Sequence, residues 1–250
     1  MMARIPIALQ LYSIRDVCAQ DLPGTLKAVA DMGYEGVEFA GYHGYDAPAL
    51  RSMLDDLGLK VAGTHLSLAS LQGDAFESTV AFNRTLGNRF LIVPGLPPEC
   101  RNSAEAWKRT AEAFTEIAAR LAPHDMATGY HNHNHEFTPQ DGQIPFELFF
   151  DGTPTAVVMQ SDSGNAWEAG VDICPYIEKY AGRSRTVHLK ESSKAGEALV
   201  GEGDTDWEAL FTLCETVGGT EWYIVEQETY PVPPLDAVRK CLDNLKAMGK

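Results

Sequence analysis

Eight consecutive residues, Tyr130-His131-Asn132-His133-Asn134-His135-Glu136-Phe137, hold three of the chain's seven histidines and a glutamate. Alternation along an extended strand would send His131, His133 and His135 to one side. Imidazoles grouped in this way suit a divalent metal, or proton transfer to a bound substrate. The competing reading is a solvated loop that is rich in histidine by chance. Further along, Asp162 ends an apolar run and is flanked by Ser161 and Ser163, so it reads either as a functional carboxylate or as a helix N-cap. His188 and Lys190 fall in Val187-His188-Leu189-Lys190-Glu191. His188 is a candidate ligand or else a satisfied core histidine. Lys190 is placed to hold a substrate oxygen or stabilise a developing oxyanion; a salt bridge to Glu191 or Glu228 is its structural alternative. Glu226 and Glu228, two apart in Ile224-Val225-Glu226-Gln227-Glu228, point the same way on a strand. Like charges so close repel unless a cation lies between them, which favours metal binding and general-base work.

These residues need elements to position them. Short apolar runs alternate with amphipathic stretches throughout. The runs predict strands over 5–11, 36–39, 60–65, 89–93, 126–131, 156–160, 186–189 and 222–226. Apolar spacing at i, i+3 and i+4 predicts helices over 22–32, 47–57, 76–86, 104–121 and 207–217. A last helix over 235–248 follows Pro233-Pro234. Strict β/α alternation implies a parallel sheet, and about eight repeats without a dividing linker predict a single (β/α)8 TIM barrel domain over 1–250. The rival, an open doubly wound sheet, usually carries a glycine-rich phosphate turn after its first strand. That position here reads Gln10-Leu11-Tyr12-Ser13-Ile14-Arg15-Asp16, with no such turn.

In a barrel the active site lies at the C-terminal strand ends. Those ends carry Gln10 and Tyr12, Glu38, His65, Pro94, the segment from His131 to Glu136, Asp162, His188 with Lys190, and Glu226 with Glu228. His131 or Glu136, then Asp162, His188 and Glu226, occupy four successive strand ends. Mixed carboxylate and imidazole suit one Mn2+, Co2+, Zn2+ or Mg2+ at a site with open positions. Glu38 and His65 are placed to touch substrate or to orient a ligand. Tyr12 and Trp167 offer apolar walls for a substrate, and His133 and Asn165 complete the expected substrate contacts.

Composition excludes several classes. A net charge of −15 repels phosphate backbones and anionic membranes, so no nucleic-acid partner is expected. No run of about 18 apolar residues suggests a membrane span. Five scattered cysteines with no CxxC pair fit structural thiols in a reducing cytoplasm. The loop Val200-Gly201-Glu202-Gly203-Asp204-Thr205-Asp206-Trp207 has glycines that permit phosphate binding, but Glu202, Asp204 and Asp206 would repel a dianion. The expected partner is therefore a small molecule without a phosphate.

The pieces Leu9-Gln10-Leu11-Tyr12-Ser13-Ile14-Arg15-Asp16, Gly36-Val37-Glu38-Phe39, 130–137, Asp162, Val187-His188-Leu189-Lys190-Glu191 and Val225-Glu226-Gln227-Glu228 together resemble the xylose-isomerase-like barrel superfamily. That group contains sugar isomerases and epimerases, inosose dehydratase and endonuclease IV. The resemblance implies one divalent ion held by Glu, Asp, His and Glu from strands five to eight. Asp162, His188 and Glu226 match the last three. His131 stands where ketose epimerases place a glutamate that doubles as a base, and Glu136 is the other candidate first ligand. This departure argues against a symmetric two-glutamate epimerase and leaves Glu226, Glu228 or a histidine such as His131 as the single base. Such barrels often pair, so a homo-oligomer is compatible with the resemblance. The activity implied is metal-assisted proton abstraction beside a carbonyl, as an isomerase or epimerase; the alternative is a keto-sugar lyase of the inosose dehydratase or 3-keto-glycoside-eliminating kind. An endonuclease-like phosphodiesterase would need more metals and a basic face. A non-catalytic sugar-binding barrel would not need Asp162, His188 and Glu226 together.

Overall fold

The computed structural model describes residues 4–250. Eight parallel strands close in sequence order into a barrel. They are β1 (Ile7–Gln10), β2 (Gly36–Ala40), β3 (Lys60–His65), β4 (Phe90–Val93), β5 (Ala127–His131), β6 (Val158–Asp162), β7 (Thr186–Leu189) and β8 (Trp222–Val225). Closure pairs Ala8 with Ile224 on one side and with Gly36 on the other. The expected (β/α)8 architecture is the one observed.

The outer ring comprises α1 (Arg15–Gln20), α2 (Leu22–Met32), α3 (Ala47–Leu57), α4 (Ala75–Leu86), α5 (Ala104–Leu121), α6 (Pro145–Asp151), α7 (Ser163–Glu168), α8 (Cys174–Lys179), α9 (Trp207–Leu213) and α10 (Pro234–Ala247). Local chemistry sets their starts. The side chains of Asp21, Asp46 and Ser103 accept from the backbone N–H groups of Gly24, Ala49 and Ala106 at 3.0, 2.9 and 3.1 Å. Among the described residues no helix is long and apolar enough to cross a membrane.

Sequence periodicity places the long helices to within a residue or so and misses α1, α6, α7 and α8. At six or seven residues each, these are too short to display a 3.6-residue period. The helix expected over 207–217 is α-helical only to Leu213 and ends in a π turn over Cys214–Gly218.

Inside the barrel, alternate strand residues form layers. At the floor Ala8, Ala62, Phe90, Ile92, Val158, Trp222 and Ile224 make a separate apolar cluster. Gly129 permits the tight contact of β5 with β6, because a Cβ there would overlap the Val158 carbonyl oxygen. Towards the mouth the same strands turn polar: β6 runs Val158, Gln160, Asp162, and β8 runs Trp222, Ile224 and then Glu226 just beyond its end. All six side chains are buried. Burying so many polar groups is costly unless each finds a partner.

Candidate metal centre and active site

His131 is the last residue of β5, Asp162 the last of β6, His188 lies within β7, and Glu226 follows β8 directly. All four are buried, and one ligand atom from each lies within 4.8 Å of all the others. His188 Nδ1 is 2.7 Å from Glu226 Oε2 and 3.8 Å from Asp162 Oδ2. His131 Nε2 is 3.9 Å from the same Glu226 oxygen.

A buried polar network aims these groups. Glu38 Oε2 accepts from Gln10 Nε2 at 2.8 Å and pairs with His188 Nε2 at 2.6 Å. Glu38 Oε1 accepts from Gln160 Nε2 at 2.8 Å. The amide nitrogen of Gln160 is thereby fixed, which turns its Oε1 towards His65 Nε2 at 2.7 Å and His131 Nδ1 at 3.1 Å. His131 then carries its proton on Nδ1 and presents the Nε2 lone pair to the cluster. With Nε2–H of His188 given to Glu38, Nδ1 is the atom His188 offers to a metal. This carboxylate–histidine pairing is the arrangement that orients and strengthens a metal ligand.

The donor set fits a divalent cation. Asp162 Oδ1 caps α7, accepting from Asn165 N at 2.6 Å, while the buried Oδ2 has no hydrogen-bond partner. The capping reading of Asp162 is thus realised on Oδ1, and Oδ2 is left facing the cluster. Burial, reinforced by neighbouring Glu226, holds the Asp162 carboxyl well above the usual carboxylate range. Burial and nearby His188 push His131 far below the usual imidazole range, which keeps it neutral as a ligand must be. For His188 burial works in the opposite direction, but Glu226 and Glu38 on either side outweigh it and raise it to about 10. Protonated His188 is thus the positive charge that holds the acids together, and a cation at the centre would compete with its Nδ1 proton. Burial likewise disfavours ionised Glu226, yet His188 and His131 hold it well below the usual range. His131, Asp162, His188 and Glu226 would hold the ion.

Above the cluster opens a cavity of about 550 Å³, lined among others by Tyr12, His65, His131, His133, Glu226 and Glu228. Lys190 Nζ is paired with Glu228 and donates to Asn165 Oδ1 at 2.8 Å. Burial opposes its charge, but Asp162, Glu226 and Glu228 win and raise it further, so it stays an ammonium. The salt-bridge reading of Lys190 is realised, with Glu228 as the partner. Tyr12 stands at the rim, 42% exposed, with the Arg15 guanidinium 4.5 Å above its ring.

Three expected placements differ. Strand β5 stops at His131, and His135–Phe137 form a 3-10 turn, so His131, His133 and His135 do not alternate on one strand. Their rings still form a chain, with His133 centred 5.0 Å from His131 and 5.8 Å from His135. Glu136 is buried but outside the four-residue cluster. It accepts from His133 N at 2.8 Å and the Tyr130 hydroxyl, and sits 2.9 Å from His135 Nε2. Both its oxygens are thus spent on locking the segment. Trp167 lines a neighbouring cavity of about 570 Å³ between α7 and the loop after β7, and another beside Lys190 and Glu228, rather than the one above the cluster. Asn132 and Gln160 carry functional weight that sequence reasoning did not assign. Asn132 brackets the Asp162 backbone, with Oδ1 accepting from its N–H at 2.8 Å and Nδ2 donating to its carbonyl at 3.2 Å. A glutamine inside the apolar run Val157-Val158-Met159-Gln160 was the available signal for the second.

Comparison with known proteins agrees with this fold. Residues 26–248 match the profile described as xylose isomerase-like TIM barrel. An inosose dehydratase of Klebsiella pneumoniae subsp. pneumoniae is 24% identical over 240 residues, covering 80% of each chain. A crystal structure of a sugar phosphate isomerase/epimerase from Parabacteroides distasonis superposes with a TM-score of 0.85 at 23% identity, covering 98% of this chain and 95% of that one. A D-allulose 3-epimerase from Methylomonas sp. gives a TM-score of 0.71 at 15% identity, with 98% of each chain covered.

Proposed function

The chain belongs to the xylose isomerase-like TIM barrel family, and from that premise we propose that it is a divalent-metal-dependent enzyme that removes a proton beside the carbonyl of a keto-sugar. The observation that carries the reading is the buried Asp162 Oδ2 without a partner, set among His131, His188 and Glu226. When bound, the ion supplies Lewis acidity that draws electrons from the carbonyl and eases loss of the adjacent proton. Glu226 takes that proton: its carboxylate is held ionised and lines the cavity. Lys190, steadied by Asn165 and Glu228, faces the oxygen on which negative charge grows. Tyr12, His65 and His133 shape the sugar pocket, while Glu38 acts through His188.

The step after proton removal decides the reaction class. The base is one-sided, since His131 occupies the place where a second glutamate would stand in an epimerase of the two-glutamate kind. One-sided abstraction favours loss of a β-substituent, water or a glycosidic oxygen, and an inosose dehydratase is among the relatives. The isomerase or epimerase reading needs a second group to return the proton. His133, on the cavity wall with a buried and unpartnered Nδ1, is the group that offers it. NMR in D2O with inososes, 3-keto-glycosides and free keto-sugars, plus Mn2+ or Co2+, separates the two. Exchange with an enone product supports the lyase; exchange with conserved composition supports the isomerase. Absence of exchange with every substrate class would remove enolisation altogether.

A further inference from the structure

Barrels commonly cradle phosphate with backbone amides in the loops that follow strands seven and eight. In this chain the loop after β7 folds around a side chain of its own. Glu191 Oε1 accepts from the backbone N–H groups of Ser192 at 2.9 Å and Thr205 at 3.2 Å. Its Oε2 accepts from Gly201 N at 2.7 Å and from the Trp207 indole Nε1 at 2.9 Å. Three amides and an indole thus converge on one carboxylate, each bond assisted by its charge. The glycines serve that arrangement. Gly201 has φ 87°, and at Gly203 any Cβ would overlap the Ser192 carbonyl oxygen and crowd the Glu191 carboxyl carbon.

Two of the loop's other acids make local bonds of their own. Asp204 accepts from Lys194 N at 2.7 Å, and Asp206 caps α9 through Ala209 N at 3.0 Å. Lys190 is committed to Glu228 and Asn165, and Lys194 lines the neighbouring cavity.

We propose that Glu191 is a resident anion: it fills the amide nest after β7 from within, so that the cavity it lines with Lys190 and Glu228, which shares Glu228 with the sugar pocket, offers no backbone site to a substrate's phosphate ester. This rests on the sugar-pocket reading and adds to it the substrate's charge class and the residue that sets it. Replacing Glu191 with Ala should free four donors at once and create an anion site that the natural chain lacks.

The test follows the Trp207 indole N–H by 15N NMR in the Mg2+-loaded protein, with acetate and inorganic phosphate as probes. In the wild type the signal should stay in place through both titrations. In Glu191→Ala it should start displaced and move back with added anion, saturating at an affinity at least about tenfold tighter than any wild-type response. A wild-type signal that titrates with phosphate, or a variant signal indifferent to both anions, overturns the proposal. Should Glu191→Ala fail to fold, Glu191→Gln keeps the volume but sets an amide NH2 against donors. Its Trp207 signal should be displaced and its indole proton should exchange faster; an unchanged signal and exchange rate overturn the proposal equally. Anion binding is read without turnover, so its failure and a failure of the enolisation reading are distinguishable.

Discussion

The floor and the mouth of this barrel are built from the same strands and obey opposite rules. At the floor Phe90, Ile92, Val158, Trp222 and Ile224 fill space, and any apolar side chain of suitable volume would do similar work. Two to four residues further on, Gln160, Asp162 and Glu226 are equally buried, yet each is defined by named partners. Gln160 must present nitrogen to Glu38 and oxygen to His65 and His131, and no substitute of equal size does both. The floor stores stability in redundant contacts. The mouth spends some of it to hold four metal-competent groups in one place.

Substitutions at the two ends should therefore separate activity from stability. The largest effect on activity is expected at the mouth: Glu226→Gln keeps the shape and removes the base, and turnover of the folded protein should fall by about 10²–10⁴-fold in a proton-exchange assay. Undiminished exchange would take Glu226 out of the mechanism. At the floor, Phe90→Ala should cost about 3–5 kcal/mol in denaturant unfolding and leave KM of the surviving folded enzyme unchanged. Comparable loss of activity in that folded fraction would dissolve the distinction between the two regions.

Smaller effects refine it. Glu38→Gln removes the acceptor behind His188, and metal affinity by calorimetry should weaken about 10–100-fold; an unaltered affinity would make Glu38 a substrate contact instead. Chelation should lower the melting temperature of the wild type, because ion at about 100 times its Kd adds roughly 2.7 kcal/mol. That loss should be absent in Asp162→Ala. Least of all, alkylation at pH 8 should spare Cys18 and Cys214 in the folded protein, since burial pushes both thiols up to about 12. Rapid modification would mean that the outer layer opens.

Nearly the whole barrel was legible in the sequence, because buried parallel strands and amphipathic helices write their periods directly into the residue order. So was the convergence of Asp162, His188 and Glu226, which lie at or near the ends of apolar runs. The histidine segment was only partly legible. Alternation predicts a continuing strand, but Asn132 turns inward to bracket the Asp162 backbone and Glu136 folds back onto His133 N and the Tyr130 hydroxyl. Both contacts are tertiary, so no local period announces them. Trp167 reads as an apolar wall from its type alone, whereas α7 carries it to cavities beside the loop after β7, one of them shared with Lys190 and Glu228. Glu191 was hidden for the converse reason: its neighbours in sequence suggest an ordinary salt bridge, and only the folded loop gathers Gly201, Thr205 and Trp207 around it.

The convergence of four strand ends on one cation is best tested by anomalous diffraction from crystals soaked in Mn2+. A single strong peak is expected within coordination distance of His131 Nε2, Asp162 Oδ2, His188 Nδ1 and Glu226. No peak there, or a peak beside Glu136 and His135 instead, would contradict the assignment.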